Sequence, residues 1–266
     1  NNLIFLLLVV FLNSSLSFAE EKIITSPLIN LNEIKPSFET IEENSREALT
    51  ERLAEDVAAR LKQSITERGR ATLALSGGST PGPFMIRLGT FELDWRNVFV
   101  TLSDERWVPS GHPRSNQRLV KETLFLGQAG AATFVPLYQE GIDRHDAVVP
   151  LSKRLTRDVL PLDVCVLGMG EDLHTASLFP GAKGLDRALD PSCPTPLMTL
   201  VPTTMNEPRM TMTASALFNA RQIHLLITGE SKEVALIKAC ETGDVLTAPI
   251  KAILDSPAPV TVWYAP

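Results

Sequence analysis

The chain is 266 residues long, 44% hydrophobic and formally −6 in charge, enough for one large α/β domain or two small ones with an ample core. Its acidic balance, with no run of about five or more basic residues, argues against a nucleic-acid partner. Cys165, Cys193 and Cys240 are far apart with no C-x-x-C pair, which fits a reducing compartment and ordinary burial better than a disulfide framework or a zinc site.

Residues 3–12 form an apolar run followed by small residues ending at Ala19, the pattern of a secretory leader. The run falls short of the about 20 apolar residues of a spanning helix, so no stable membrane association is expected. Residues 1–30 are set aside as a leader or N-terminal extension, and residues 31–266 are expected to form a single domain. From Asn44 to Arg68 the apolar positions Leu49, Leu53, Val57, Leu61 and Ile65 recur every four residues, with Ala54 and Ala58 beside them. That stripe predicts a core-facing helix, and Asn44 with Glu47 reads as its capping box. Thr72–Ser76 predicts a short buried strand, broken by Gly77-Gly-Ser-Thr-Pro-Gly82, with Pro81 placed to open a helix.

Strand, glycines, hydroxyls and helix start together suggest a phosphate cradle, in which backbone N–H groups and the positive end of the helix dipole meet an anion. The loop is not a Walker A sequence, because no Gly-Lys-Ser/Thr follows. It is not a nucleophile elbow either, because Pro81 stands where G-x-S-x-G needs glycine. Asn97–Ser103 predicts another strand, and Asp104-Glu-Arg106 at its end could orient a histidine or bind an anion. Ser115-Asn116 would cap a helix over Gln117–Phe125. Pro150 is expected to break the helical segment between Asp143 and Leu160.

Asp163–Leu167 has the composition of a strand buried on both faces and runs into Gly168-Met-Gly-Glu-Asp-Leu-His174. A lone histidine is more often a hydrogen-bonded bystander than a catalyst. His174, however, stands at the mouth of a strand, where open α/β sheets place their ligands. Gly168-x-Gly170 lacks the third glycine of a dinucleotide fingerprint, since Leu173 occupies that position. Leu197–Val201 and Gln222–Thr228 predict strands, the latter with a structural His224, and Val260–Tyr264 predicts the last one. Lys232 falls in the first turn of a helix, where the dipole disfavours a cation unless an anion lies nearby. Alternating strands and helices predict a mainly parallel twisted sheet with helices on both faces, of Rossmann-like kind, whose polar loops converge on one edge.

Ser76–Pro81, Ser103–Pro109, Gly168–Gly181, and Pro208–Thr213 with Gly229–Lys232, in that order, resemble the 6-phosphogluconolactonase family over about residues 40 to 263. The resemblance implies a sugar-phosphate isomerase type of α/β fold and hydrolysis of 6-phosphogluconolactone to 6-phosphogluconate in the oxidative pentose phosphate pathway. It also implies a cytoplasmic location, with secretion or organelle targeting left open by the leader-like residues 3–19, and no metal or organic cofactor. By the same resemblance His174 would activate water, Asp104 would help orient the site and Arg106 would stabilise the oxyanion. Gly77, Gly78, Ser79 and Thr80, with Arg209 and Lys232, would hold the phosphate. The family usually has glycine where Leu173 stands; a positive φ there would cost leucine about 1–2 kcal/mol. Other readings are a glucosamine-6-phosphate deaminase, a non-catalytic sugar-phosphate-binding module, and a serine esterase using Ser79. The sequence is silent on oligomeric state.

Overall fold

The computed structural model describes residues 38–203 and 207–266, so the leader-like segment lies outside the described residues. In chain order the elements are β1 (Glu39–Glu42), α1 (Arg46–Arg68), β2 (Ala71–Leu75), α2 (Pro81–Leu88), β3 (Val98–Leu102), β4 (Asp104–Arg106), α3 (Asn116–Glu122), β5 (Thr133–Phe134) and α4 (Arg144–Asp158). They continue with β6 (Val164–Leu167), α5 (Leu185–Ala188), β7 (Leu197–Leu200), β8 (Arg209–Met212), α6 (Ala214–Leu217), β9 (Ile223–Thr228), α7 (Glu230–Glu241), α8 (Pro249–Leu254) and β10 (Val260–Ala265).

Seven strands pair in parallel in the order β1-β10-β9-β6-β2-β3-β5. Every residue of β2 and β6 is buried, which explains why these strands read as unbroken apolar runs rather than alternating ones. From β2 the chain moves outward through β3 to β5, then returns to the other side of β2 with β6 and continues to β9 and β10. The reversal creates a topological switch point between β2 and β6, where such sheets bind ligands at the strands' carboxyl ends. A second, antiparallel sheet, β4-β8-β7, extends from the end of β3.

Three local expectations change. Helix α1 is capped by Ser45, whose hydroxyl accepts from Ala48 N–H at 3.1 Å, and not by an Asn44 box. Its other end closes on Gly69 at φ 74, whose N–H bonds to the Ile65 carbonyl. Helix α4 runs through Pro150. Pro150 and Asp146, four residues earlier, are both exposed, so the carbonyl deprived of its partner remains in water, while Leu151 and Leu155 hold the opposite face in the core. Asp104–Arg106, expected at the end of β3, forms a separate strand of the second sheet.

His224 is structural, as read. It is fully buried in β9; Trp263 Nε1–H donates to its Nδ1 at 2.9 Å, and its Nε2 lies 3.2 Å from Asp56 Oδ2. With Nδ1 accepting, Nε2 carries the proton of the neutral ring. Burial holds this imidazole below its ordinary value, with Asp56 pulling the other way. Burial also works to raise Asp56, but the adjacent His224 and the hydrogen bond from Arg60 outweigh it and bring that carboxyl to about 2. Below the histidine's unfolded value of 6.5 the unfolded chain therefore binds a proton that the folded chain refuses. Stability is lost as pH falls, by at most about 1.4 kcal/mol per pH unit from this group. Thermal midpoints are expected to drop between about pH 7 and pH 5, and less steeply in His224→Gln, which keeps an acceptor for Trp263 and a donor for Asp56. Equal slopes in the two proteins would contradict the assignment.

Candidate active site

At the switch point the loop after β2 and the loop after β6 stand side by side, because Leu73, Ala74 and Leu75 pair with Val164, Cys165 and Val166. The pairing continues past β2 through Ser76 N–H to the Val166 carbonyl at 3.0 Å. A cleft of about 380 Å³ opens above them. Every candidate residue lines it: His174, Asp104 and Arg106; Gly77, Gly78, Ser79 and Thr80; and Arg209 and Lys232. Arg114, Asn116 and Phe179 line it too, and the sequence marks none of the three as a site residue, Asn116 only as part of a helix cap.

His174 is held by a neighbour. Its Nδ1 lies 2.5 Å from Asp172 Oδ1, and its own N–H approaches the same oxygen at 3.3 Å. The hydrogen bond from His174, ahead of the opposing effect of burial, keeps the Asp172 carboxyl below its usual range. An ionised carboxylate only accepts, so Nδ1 carries the proton and Nε2 presents its lone pair. The geometry depends on Gly170: a Cβ there would lie 2.1 Å from His174 Nδ1 and 2.3 Å from Asp172 Oδ1. The carboxylate on the imidazole is thus Asp172, not Asp104. Asp104 is buried and accepts from Ser103 Oγ at 3.1 Å and Ser177 Oγ at 2.5 Å. It ties the histidine's loop to the end of β3.

The cationic side of the cleft is built by the small sheet. Arg106 and Arg209 are directly opposed on the β4–β8 ladder. Like charges so placed repel, and burial together with the nearby Arg106 cation lowers the pKa of Arg209, which is 3% exposed. Such a pair gains most from a shared anion. Arg106 Nη1 donates to the Arg114 carbonyl at 2.6 Å and to Asn116 Oδ1 at 2.9 Å. Asn116 in turn donates to the Asp104 carbonyl at 2.8 Å and packs against Gly77, where a Cβ would lie 1.9 Å from Asn116 Oδ1. Glu207 Oε1 stands 3.2 Å from Arg114 and 3.4 Å from Arg209.

Glu105 anchors this wall. Its carboxylate accepts the backbone N–H groups of Arg106, Asn116 and Gln117 at 2.7–2.8 Å and the Ser115 hydroxyl at 3.0 Å. It thereby caps the start of α3 from outside the helix. Burial pushes the Glu105 carboxyl above its ordinary range, against the pull of those four donors. Across the cleft, Gly78 has φ 99, a conformation that glycine tolerates and that turns the loop into α2. Lys232 falls in the first turn of α7, as expected. Among the described residues no group of three or more His, Cys, Asp or Glu side chains could hold a metal ion, and no helix is long and apolar enough to cross a membrane.

The family described as glucosamine-6-phosphate isomerases/6-phosphogluconolactonase matches residues 44–263. A 6-phosphogluconolactonase of Rhizobium meliloti is 47% identical over 220 residues, covering 82% of this chain and 95% of its own. One from Pseudomonas aeruginosa is 40% identical, covering 80% of this chain and 89% of its own. The crystal structure of a 6-phosphogluconolactonase from Shewanella baltica superposes with a TM-score of 0.84 at 35% identity, covering 88% of this chain and 99% of that one.

Leu173, beside the histidine, adopts φ 69. The expected strain is therefore present, and burial of the leucine side chain, 4% exposed, offsets it. Removing that side chain costs about 2–5 kcal/mol on the scale of buried leucines, more than the left-handed backbone costs. Both Leu173→Ala and Leu173→Gly are therefore expected to destabilise. The usual order is expected to reverse, glycine being less damaging than alanine by up to about 1 kcal/mol. Denaturant midpoints measure the order, and alanine proving the milder change would show that the backbone relaxes out of the left-handed region.

Proposed function

The chain belongs to the glucosamine-6-phosphate isomerase/6-phosphogluconolactonase family, and from that premise we propose that it hydrolyses 6-phospho-D-glucono-1,5-lactone to 6-phospho-D-gluconate with His174 as general base. The observation that carries the reading is that His174, held by Asp172, shares one cleft with the Gly77–Thr80 loop, Arg209 and Lys232. A water positioned at Nε2 attacks the lactone carbonyl carbon and gives its proton to the imidazole. The carbonyl oxygen becomes an oxyanion beside Arg106. When the intermediate collapses, the bond to the ring oxygen breaks and that oxygen takes the proton back from the imidazolium. The ring opens to a hydroxyl and a carboxylic acid, which ionises.

Asp172 keeps the reactive tautomer and balances the imidazolium while it exists. The phosphoryl group at the far end of the substrate is held by the loop amides, Arg209 and Lys232, which fixes the distance between carbonyl and base. A lactone is an activated ester, so the site need supply only a modest acceleration. A phosphorylated sugar acid does not cross a bilayer unaided, and the reading carries with it a cytoplasmic location.

His174→Ala is expected to lower kcat by about 10²–10⁴ with little change in KM, and Arg209→Ala to act chiefly by raising KM. Initial rates on freshly made lactone, corrected for spontaneous hydrolysis, measure both. Turnover near wild type in the His174 variant would remove the base assignment.

A further inference from the structure

We propose that Phe179 is a positioning residue for the base, an aromatic plate that sets the plane of the His174 ring and favours the charged ring formed when the water's proton is taken. The inference rests on the reading of His174 as general base. Phe179 lies at the end of the turn that begins with His174, and its ring folds back onto the imidazole, with centroids 4.1 Å apart and planes 24° apart. Ala176 at φ 48 and the Leu178 N–H bonded to the Thr175 carbonyl at 2.9 Å make that return possible. The phenyl ring is 6% exposed, so it is held firmly enough to hold something else.

The hydrogen bond from Nδ1 to Asp172 fixes one atom of the imidazole and leaves the ring able to swing about that contact. Contact across the ring face removes this freedom, and the two constraints together aim Nε2. Phe179 also lines both the cleft and a second cavity of about 280 Å³, which Asp172 borders as well. Truncating the plate would let the ring tilt and admit water to its back.

The plate also acts on charge. An aromatic face carries negative quadrupole density and attracts a cation more than a neutral ring, so the imidazolium gains from the stacking. Asp172 acts in the same direction. Asp104, across the cleft, adds to it, whereas Arg106, Arg114, Arg209 and Lys232 oppose it. Arg209 comes within 5.9 Å of the same phenyl centroid. The aromatic face thus offsets part of the cationic field that phosphate binding requires so close to the base.

The test compares Phe179→Leu and Phe179→Met, which keep apolar bulk without a π face, with Phe179→Tyr, which keeps the plate. The Leu and Met variants are expected to lose about tenfold or more in kcat with KM within about twofold. Their acid limb of kcat/KM should move to lower pH by about half a unit, because the charged ring loses its support. Phe179→Tyr should stay near wild type in both. Calorimetric binding of inorganic phosphate shows that each variant retains a folded cleft, and if Leu fails to bind, Met decides. An unmoved acid limb in the folded Leu or Met variant, or a Tyr variant as impaired as they are, overturns the proposal. Those outcomes leave the base assignment intact, which fails separately if His174→Ala retains turnover.

Discussion

The parallel pairing of β2 with β6 is the constraint on which the rest depends. It joins two segments far apart in sequence, and it does so at the one place where the sheet's direction of winding reverses. The loops that follow these strands, Gly77–Thr80 and Gly168–His174, are consequently neighbours. Neither loop could hold a substrate alone. The first has amides and hydroxyls for an anion but no base, and the second has a base but no anchor. Because both strands are buried on both faces, a slip of register would push apolar residues out of the core at one strand end and draw loop polar groups in at the other. Hydrophobic burial, which is non-directional, is thereby converted into an accurate separation between a phosphate site and an imidazole.

The small antiparallel sheet supplies what the large sheet lacks, a wall of charge. Burying Asp104, Glu105 and Arg209 is costly unless each is matched by hydrogen bonds or opposite charge. Asp104 and Glu105 are matched by serine hydroxyls and backbone amides, so their charges are spent on structure. The opposed Arg106 and Arg209 are different in kind. Their mutual repulsion is tolerable because Glu207, Asp104 and Asn116 stand nearby, and it falls further when a dianion enters. A site that is electrostatically incomplete when empty favours a phosphorylated ligand over its unphosphorylated counterpart.

Much of this was legible in the sequence because each strand that matters is a short apolar run ending in glycine or a hydroxyl residue. The phosphate loop and the histidine lie in those terminal loops, so the parallel sheet was enough to bring them together, whereas Asp104, Arg106 and Arg209 reach the cleft through the small sheet. What escaped the sequence was contact that depends on side-chain direction. Asp172 sits two residues from His174, and that spacing pairs side chains only when the chain turns sharply, as it does between Gly170 and Leu173. Phe179 reads as one more apolar residue until the turn folds it back onto the imidazole. Asn116 appeared as part of a helix cap, which it adjoins, but its side chain is the spacer between Arg106 and the phosphate loop. Strand β1 and its four pairings with β10 carry no marked alternation, since β1 is an edge strand with no buried residue.

The histidine's loop shows how a strained segment is kept in place. Two non-glycine residues, Leu173 and Ala176, flank His174 in the left-handed region, each at a conformational cost of about 1–2 kcal/mol. Left to itself the loop would relax, and the imidazole would leave the cleft. Four separate attachments prevent this. The Leu173 carbonyl accepts from Ile250 N–H at the start of α8, at 3.0 Å, and the Leu173 side chain is buried. Gly170 N–H closes on the His174 carbonyl at 2.9 Å. Ser177 is tied to Asp104, and its N–H meets Thr211 Oγ1 on β8. Phe179 lies across the ring itself. The attachments come from two strands of the small sheet, from a helix near the carboxyl end and from the turn itself, so no single local sequence determines where the base points. The strain is small beside the packing and hydrogen bonding that oppose its release, and that inequality lets a leucine stand where the backbone calls for glycine.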